Sequence, residues 1–180
     1  TEGEILLNGM NIKDYNLKAY RALFAAAFQD YKVFAFSIKE NVLMRKATDE
    51  DDGAVYEALR KVGIYDKVMS LPDKADTILT KEFDENGTLL SGGEFQKIVV
   101  ARAFIRDVPI KVFDEPSSAL DPIAEYELYE SILKDSAGKT MIFISHRLSS
   151  VRNADMVLML ENGRIIERGT HKELMRQNGA

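Results

Sequence analysis

The chain has 180 residues, 46% of them apolar and 29% charged, the balance of one ordinary soluble domain with a packed core. With 24 Lys and Arg against 29 Asp and Glu, its net charge of −5 argues against a dedicated nucleic-acid binder, which carries a basic excess or stripe. No cysteine excludes disulfide scaffolds, cysteine zinc sites and thiol catalysis; two histidines are too few for a multi-histidine metal centre, and no apolar run approaches the ~20 residues of a membrane span.

Thr1 in place of Met, with Glu2 and Glu4 close behind, does not read as a signal peptide and leads us to expect a processed product or a piece of something longer. In chain order, residues 4–8 (EILLN) before Gly9 predict a short strand and turn. Residues 23–28 (LFAAAF), ending at Gln29, form a continuous apolar run. From 37 to 107 the pattern turns helical, near 38–44, 51–62, 64–70 and 94–106. We read this block as a helical subdomain inserted between a part covering 1–36 and another covering 108–180. Short apolar runs at 110–113, 141–144 and 156–160 predict further strands, the last turning at Glu161-Asn162-Gly163-Arg164 as a hairpin. Asp121-Pro122 caps and opens a helix whose expected buried face is Tyr126, Tyr129 and Leu133. Alternating strands and helices predict α/β with a largely parallel sheet, its near-continuous apolar strands covered on both faces.

Four places carry candidate chemistry. The 110–113 strand ends in Asp114 and Glu115, two adjacent carboxylates at the edge where open α/β sheets bind ligands. One can hold Mg²⁺ and the other can polarise a water, against the plainer possibility of a solvated acidic loop. Leu90-Ser91-Gly92-Gly93-Glu94 has the spacing of a capping box, Ser91 with Glu94. Two consecutive glycines serve capping poorly, however, and favour a helix N-terminus that an anion approaches closely. His146 follows the 141–144 strand, and Gln29 ends the 23–28 strand, both expected at the same sheet edge. Gly138-Lys139-Thr140 resembles the end of a phosphate loop but precedes a strand and lacks the upstream glycine, since position 133 is Leu133; it reads as a turn.

Taken in order, these segments resemble the nucleotide-binding domain of ATP-binding cassette (ABC) transporters. Leu90 to Glu94 with Gln96 is similar to that family's signature motif, 110–115 to its Walker B strand, and Ser117 to Asp121 (SSALD) to its D-loop. Gln29 matches the Q-loop glutamine and His146 the switch histidine. Residues 36–42, 83–87 and 168–174 resemble exporter segments, including the X-loop region and the closing helix. Two departures stand out: Glu94 where many members carry Gln, and Lys111, which interrupts the apolar Walker B strand and leads us to expect that strand to be less fully buried. The family's P-loop and its adenine-stacking aromatic are expected upstream of Thr1.

The resemblance implies a P-loop NTPase-like, mostly parallel sheet with an inserted helical subdomain, here without the N-terminal P-loop strand. It implies ATP and Mg²⁺ as cofactors, a second ATPase domain as head-to-tail partner, and transmembrane domains on the same polypeptide, at the cytoplasmic face of a membrane. Ser91, Gly92, Gly93 and Glu94 would meet the nucleotide of the opposite subunit, while Asp114 and Gln29 would hold Mg²⁺. Glu115 would be the base toward water, His146 would contact the γ-phosphate, and Asp121 would link the two sites. Two rival readings are a soluble ABC protein of chromosome maintenance or translation, disfavoured because 29–91 holds no sustained heptads, and a non-catalytic assembly module. The P-loop supplies the amides and lysine that hold the β- and γ-phosphates. The 180-residue chain alone is therefore expected to bind Mg-ATP weakly without turnover, and tight binding with hydrolysis in a titration and rate assay would contradict this.

Overall fold

The structure, a computed structural model, describes residues 3–82, 87–146 and 152–177 and consists of two compact units, Thr1–Ile142 and Phe143–Ala180. In the first unit, β1 (Leu6–Leu7) and β2 (Met10–Asn11) form a small antiparallel hairpin where the sequence predicts a single strand. Asn8 and Gly9 both take positive φ, 51° and 81°, as a two-residue turn requires. Asn16 Oδ1 accepts from the Lys18 and Ala19 amides and opens α1 (Leu17–Ala22), a helix with no buried residue and hence no apolar stripe to betray it. The chain then enters β3 (Phe24–Ala27).

Strand β3 pairs in parallel with β4 (Ile110–Asp114), Phe24 opposite Ile110 through Ala27 opposite Phe113, and β5 (Thr140–Ile144) lies on the far side of β4. The fold class is thus the expected α/β with a parallel sheet. Burial alternates along β3 and β4: Ala25, Ala27, Lys111 and Phe113 are buried and their neighbours half-exposed. This corrects the expectation of strands covered on both faces. The covered face meets α5 (Gly92–Phe104), where Phe104 lies 6.3 Å from the Phe113 ring.

The helical block between the strands holds α2 (Ile38–Leu43), α3 (Asp52–Lys61), α4 (Tyr65–Met69) and α5. Ile38, Val42, Val55, Leu59, Val68 and Ile98 are fully buried and form its core. Lys39 is buried with them, its ammonium 2.7 Å from Asp52 and 3.0 Å from Asp76; the Asp52 hydrogen bond raises its pKa against the effect of burial. Helix α5 is buried nearly all round, as befits an element enclosed by others rather than laid on a surface.

After β4, α6 (Pro122–Lys134) starts at the expected Asp121 cap, but its buried face is Glu125, Leu128 and Ile132. Tyr126 is exposed, and Tyr129 and Leu133 are half-buried, so the expected face is displaced by one residue. Both sets have the same helical spacing, and in sequence the larger tyrosines outweigh an acidic residue. Lys111 also departs from the sequence expectation, being more fully buried than its charge suggests. It is 1% exposed, and its ammonium sits 2.7 Å from Asp135, the C-cap of α6. Asp135 also lies 3.2 Å from Lys61 and 3.4 Å from Lys139. A carboxylate at a helix C-terminus opposes the helix dipole, and three ammonium groups offset this. Gly138 turns with φ 71° into β5, as expected of a helix-to-strand turn.

In the second unit, β6 (Val157–Glu161) and β7 (Arg164–Gly169) form the expected hairpin, Asn162 and Gly163 both with positive φ. Thr170 and Glu173 cap α7 (His171–Gln177) reciprocally. The exporter-like stretch at 83–87 falls, except for Gly87, outside the described residues, as do Thr1 and Glu2. Among the described residues no helix is long and apolar enough to cross a membrane.

Burial lowers the Lys111 pKa against the pull of Asp135. For Asp135 burial acts upward, but Lys111 and Lys61 outweigh it and hold the carboxyl below its ordinary value. The stability this carboxylate contributes is present above the unfolded value of about 3.9 and is lost as pH falls toward its lower folded value. Asp135→Ala strands a buried ammonium and is expected to cost about 3–5 kcal/mol. Lys111→Met leaves Asp135 with two cations and is expected to cost much less; urea unfolding of both variants measures the difference.

Candidate functional site

The site is organised by the N-terminus of α5. Ser91 Oγ accepts from the Glu94 amide at 3.3 Å, and Glu94 Oε2 accepts from the Ser91 amide at 2.8 Å, so the capping box read in the sequence is present. Partial burial acts to raise the Glu94 pKa, but the Ser91 amide and hydroxyl and Lys67, 3.7 Å away, bring it below its ordinary value. The two glycines occupy the first two helical positions and differ in their surroundings. A Cβ on Gly93 would stand 2.9 Å from the Ala119 carbonyl oxygen and 3.3 Å from Leu120, whereas one on Gly92 would meet nothing nearer than 4.0 Å. Gly93 is thus required by the chain's own loop, an internal reason the sequence did not reveal.

That loop follows β4. Asp114 is the last residue of the strand, and Glu115 departs from it with φ 47°, a left-handed conformation costing about 1–2 kcal/mol for a residue with a Cβ. Surrounding bonds hold it there. The Glu115 carbonyl accepts from Gln96 Nε2 at 2.9 Å and from the Ser118 amide at 3.3 Å. Pro116 and Ser117 are buried, and the loop ends at Asp121, whose Oδ1 accepts from the Ile123 and Ala124 amides at 3.0 Å each. These backbone donors, Ala124 first, lower the Asp121 pKa, and its side chain is exposed. Backbone outliers of the Glu115 kind concentrate at functional sites.

Gln29 lies two residues beyond β3, exposed, on the same sheet edge as Asp114. Asp114 follows the Ala27–Phe113 pair by one residue, and Gln29 follows it by two. A carboxylate and an amide oxygen at neighbouring strand ends are hard oxygen donors of the kind Mg²⁺ accepts. The segment after Gln29 is tied to the helices. The Tyr31 hydroxyl donates to the Gly92 carbonyl at 3.3 Å, and Arg102 of α5 donates to the Lys32 carbonyl at 2.9 Å. The buried Asn41 side chain accepts from the Phe34 amide and donates to the Phe34, Phe36 and Ser37 carbonyls. The first unit therefore brings Gln29, Ser91, Gly92, Gly93, Glu94, Asp114, Glu115 and Asp121 to one end of its sheet and helices. His146 follows β5 by two residues, is exposed, and belongs to the second unit. Gln96, which in sequence stands out only as part of a motif, is a site residue that sequence alone does not reveal: 2% exposed, it bonds directly to the carboxylate loop.

A family model described as ABC transporter matches residues 1–118. The chain is similar to the "ATP-dependent lipid A-core flippase" of Idiomarina loihiensis, with 39% identity over 179 residues that cover 99% of this chain and 30% of that protein. It is also similar to a solved structure titled "Structure of a bacterial Atm1-family ABC exporter with ATP bound", with a TM-score of 0.88 and 32% identity, over 99% of this chain and 30% of that one. The chain thus spans about 30% of the length of the curated relatives it matches.

The two glycines separate fold from ligand. Gly93→Ala drives a methyl group against the Ala119 carbonyl and is expected to destabilise by about 1–3 kcal/mol. Gly92→Ala has room and is expected to be neutral or slightly stabilising, since alanine favours helix by up to about 1 kcal/mol. Melting temperatures of the two variants check this.

Proposed function

This chain belongs to the ABC transporter family, and we propose that it is the greater part of an ATPase domain that binds and hydrolyses ATP to power export across a membrane. The observation that carries the reading is the pinned, left-handed Glu115 beside Asp114, bonded to the same helix whose first turn is Ser91, Gly92, Gly93 and Glu94. A water-polarising carboxylate and a phosphate-facing helix end are here parts of one framework.

In this reading residues 1–36 and 108–180 form the core part and 37–107 the helical part, which receives the transmembrane domains of the same polypeptide at the cytoplasmic face. Asp114 and Gln29 would hold Mg²⁺, which when bound neutralises charge on the phosphates. Glu115 orients water and takes its proton. The amides of Gly92 and Gly93 and the Ser91 hydroxyl face a phosphate on the nucleotide of a second, head-to-tail ATPase domain. Glu94 holds Ser91 in place for that contact. Asp121, fixed by the first amides of α6, links the two sites, and His146 contacts the γ-phosphate.

The test is Glu115→Gln in the full-length polypeptide. ATP affinity is expected to stay within about threefold of wild type while turnover falls by about a hundredfold or more, within the usual range for loss of a general base. Wild-type ATPase rates in this variant would remove Glu115 from the role.

A further inference from the structure

Gln96 is a polar side chain, 2% exposed, in the second turn of a helix otherwise packed with Ile, Val, Ala and Phe. A buried amide is retained in such a place only when both of its ends are satisfied. Here both ends serve one loop. Nε2 donates to the Glu115 carbonyl at 2.9 Å and to Ser118 Oγ at 2.9 Å, and Oε1 accepts from the Ala119 amide at 2.8 Å. The orientation of the amide is fixed by these partners, because a carbonyl can only accept and an amide N–H can only donate.

From this geometry we infer that Gln96 is a positioning residue for the hydrolysis reaction: by locking the backbone of Glu115 and Ala119 it sets where the Glu115 carboxylate stands, and it ties the loop that carries it to α5 one turn beyond Gly93. The inference rests on the role proposed for Glu115. Glu115 has φ 47°, and its carbonyl is held by Gln96 and by the Ser118 amide. Without the amide donor of Gln96 the Glu115 carbonyl loses its hydrogen bond to α5, and the turn is expected to relax toward an ordinary backbone conformation that swings the side chain away. The close approach of Ala119 to Gly93, one turn from Gln96, joins the same loop to the helix at a second point. A shift of the helix end is therefore transmitted to the loop carrying Glu115 and Asp121 through two direct contacts.

The experiment uses Gln96→Glu, which keeps an acceptor for Ala119 and removes the donor to Glu115, and Gln96→Met, which removes both, in the full-length polypeptide. Steady-state ATPase assays are expected to show kcat lowered about tenfold or more with KM for Mg-ATP within about threefold. Amide exchange at Ala119 is expected to accelerate about tenfold or more in Gln96→Met, while protection in β4 and the middle of α5 is unchanged. Combined with Glu115→Gln, either variant is expected to add little further loss, since the two residues act as one unit. Wild-type kcat in both Gln96 variants alongside an inactive Glu115→Gln overturns this inference alone. So does a kcat loss that multiplies in the double variant, or one accompanied by exchange rising throughout β4 and α5, because either outcome marks a general structural role. Wild-type turnover in Glu115→Gln overturns the base role and this inference with it.

Discussion

Everything at the candidate site hangs on one close approach, that of the first turn of α5 to the loop after β4. The Ala119 carbonyl lies where a side chain at position 93 would stand, and Gly93 makes room by having none. Leu120 packs close to the same point, but it is Gln96 that makes the contact directional: an amide with a donor and an acceptor side permits one arrangement of the loop, where a leucine would permit several. The left-handed turn at Glu115 is affordable only because these bonds over-determine it.

The fold around this point is a frame that brings the ends of four elements together. β3 and β4 deliver Gln29, Asp114 and Glu115 by their parallel register, α5 delivers Ser91 and the glycines by its cap, and α6 delivers Asp121 by its own. Each stands at or just beyond the end of an element whose direction is set by burial elsewhere, and Glu115 is held in addition by Gln96, 19 residues away in sequence. Such sites are built from termini because termini carry unpaired backbone groups that can meet a ligand.

Most of this was legible in the sequence, because strand ends, caps and hairpin turns leave local signals. Asn162-Gly163, Asp121-Pro122 and Ser91 with Glu94 each sit where their residue types demand. What was not legible depends on partners distant in sequence or on a choice between equivalent faces. Lys111 looks like an interruption of a buried strand until Asp135, 24 residues on, is seen to accept its charge. The face of α6 could be Glu125, Leu128 and Ile132 or the tyrosine set one residue later, and only three-dimensional contact decides. Helix α1 buries nothing, so no periodicity announces it. The two glycines look alike in sequence, and only the position of Ala119 distinguishes them.

The Asp135 cluster has a mechanical side. Lys61, from the helical block, reaches across to Asp135 near the sheet, yet it also lies 3.1 Å from Glu57 one turn back on its own helix. The junction between the block and the sheet is therefore closed at this point by a cation that has a counter-charge on either side of the gap. Were the gap to widen, Lys61 would keep Glu57 and Asp135 would keep Lys111 and Lys139. No charge would be left alone. A seam of this kind behaves as a sliding joint rather than a weld.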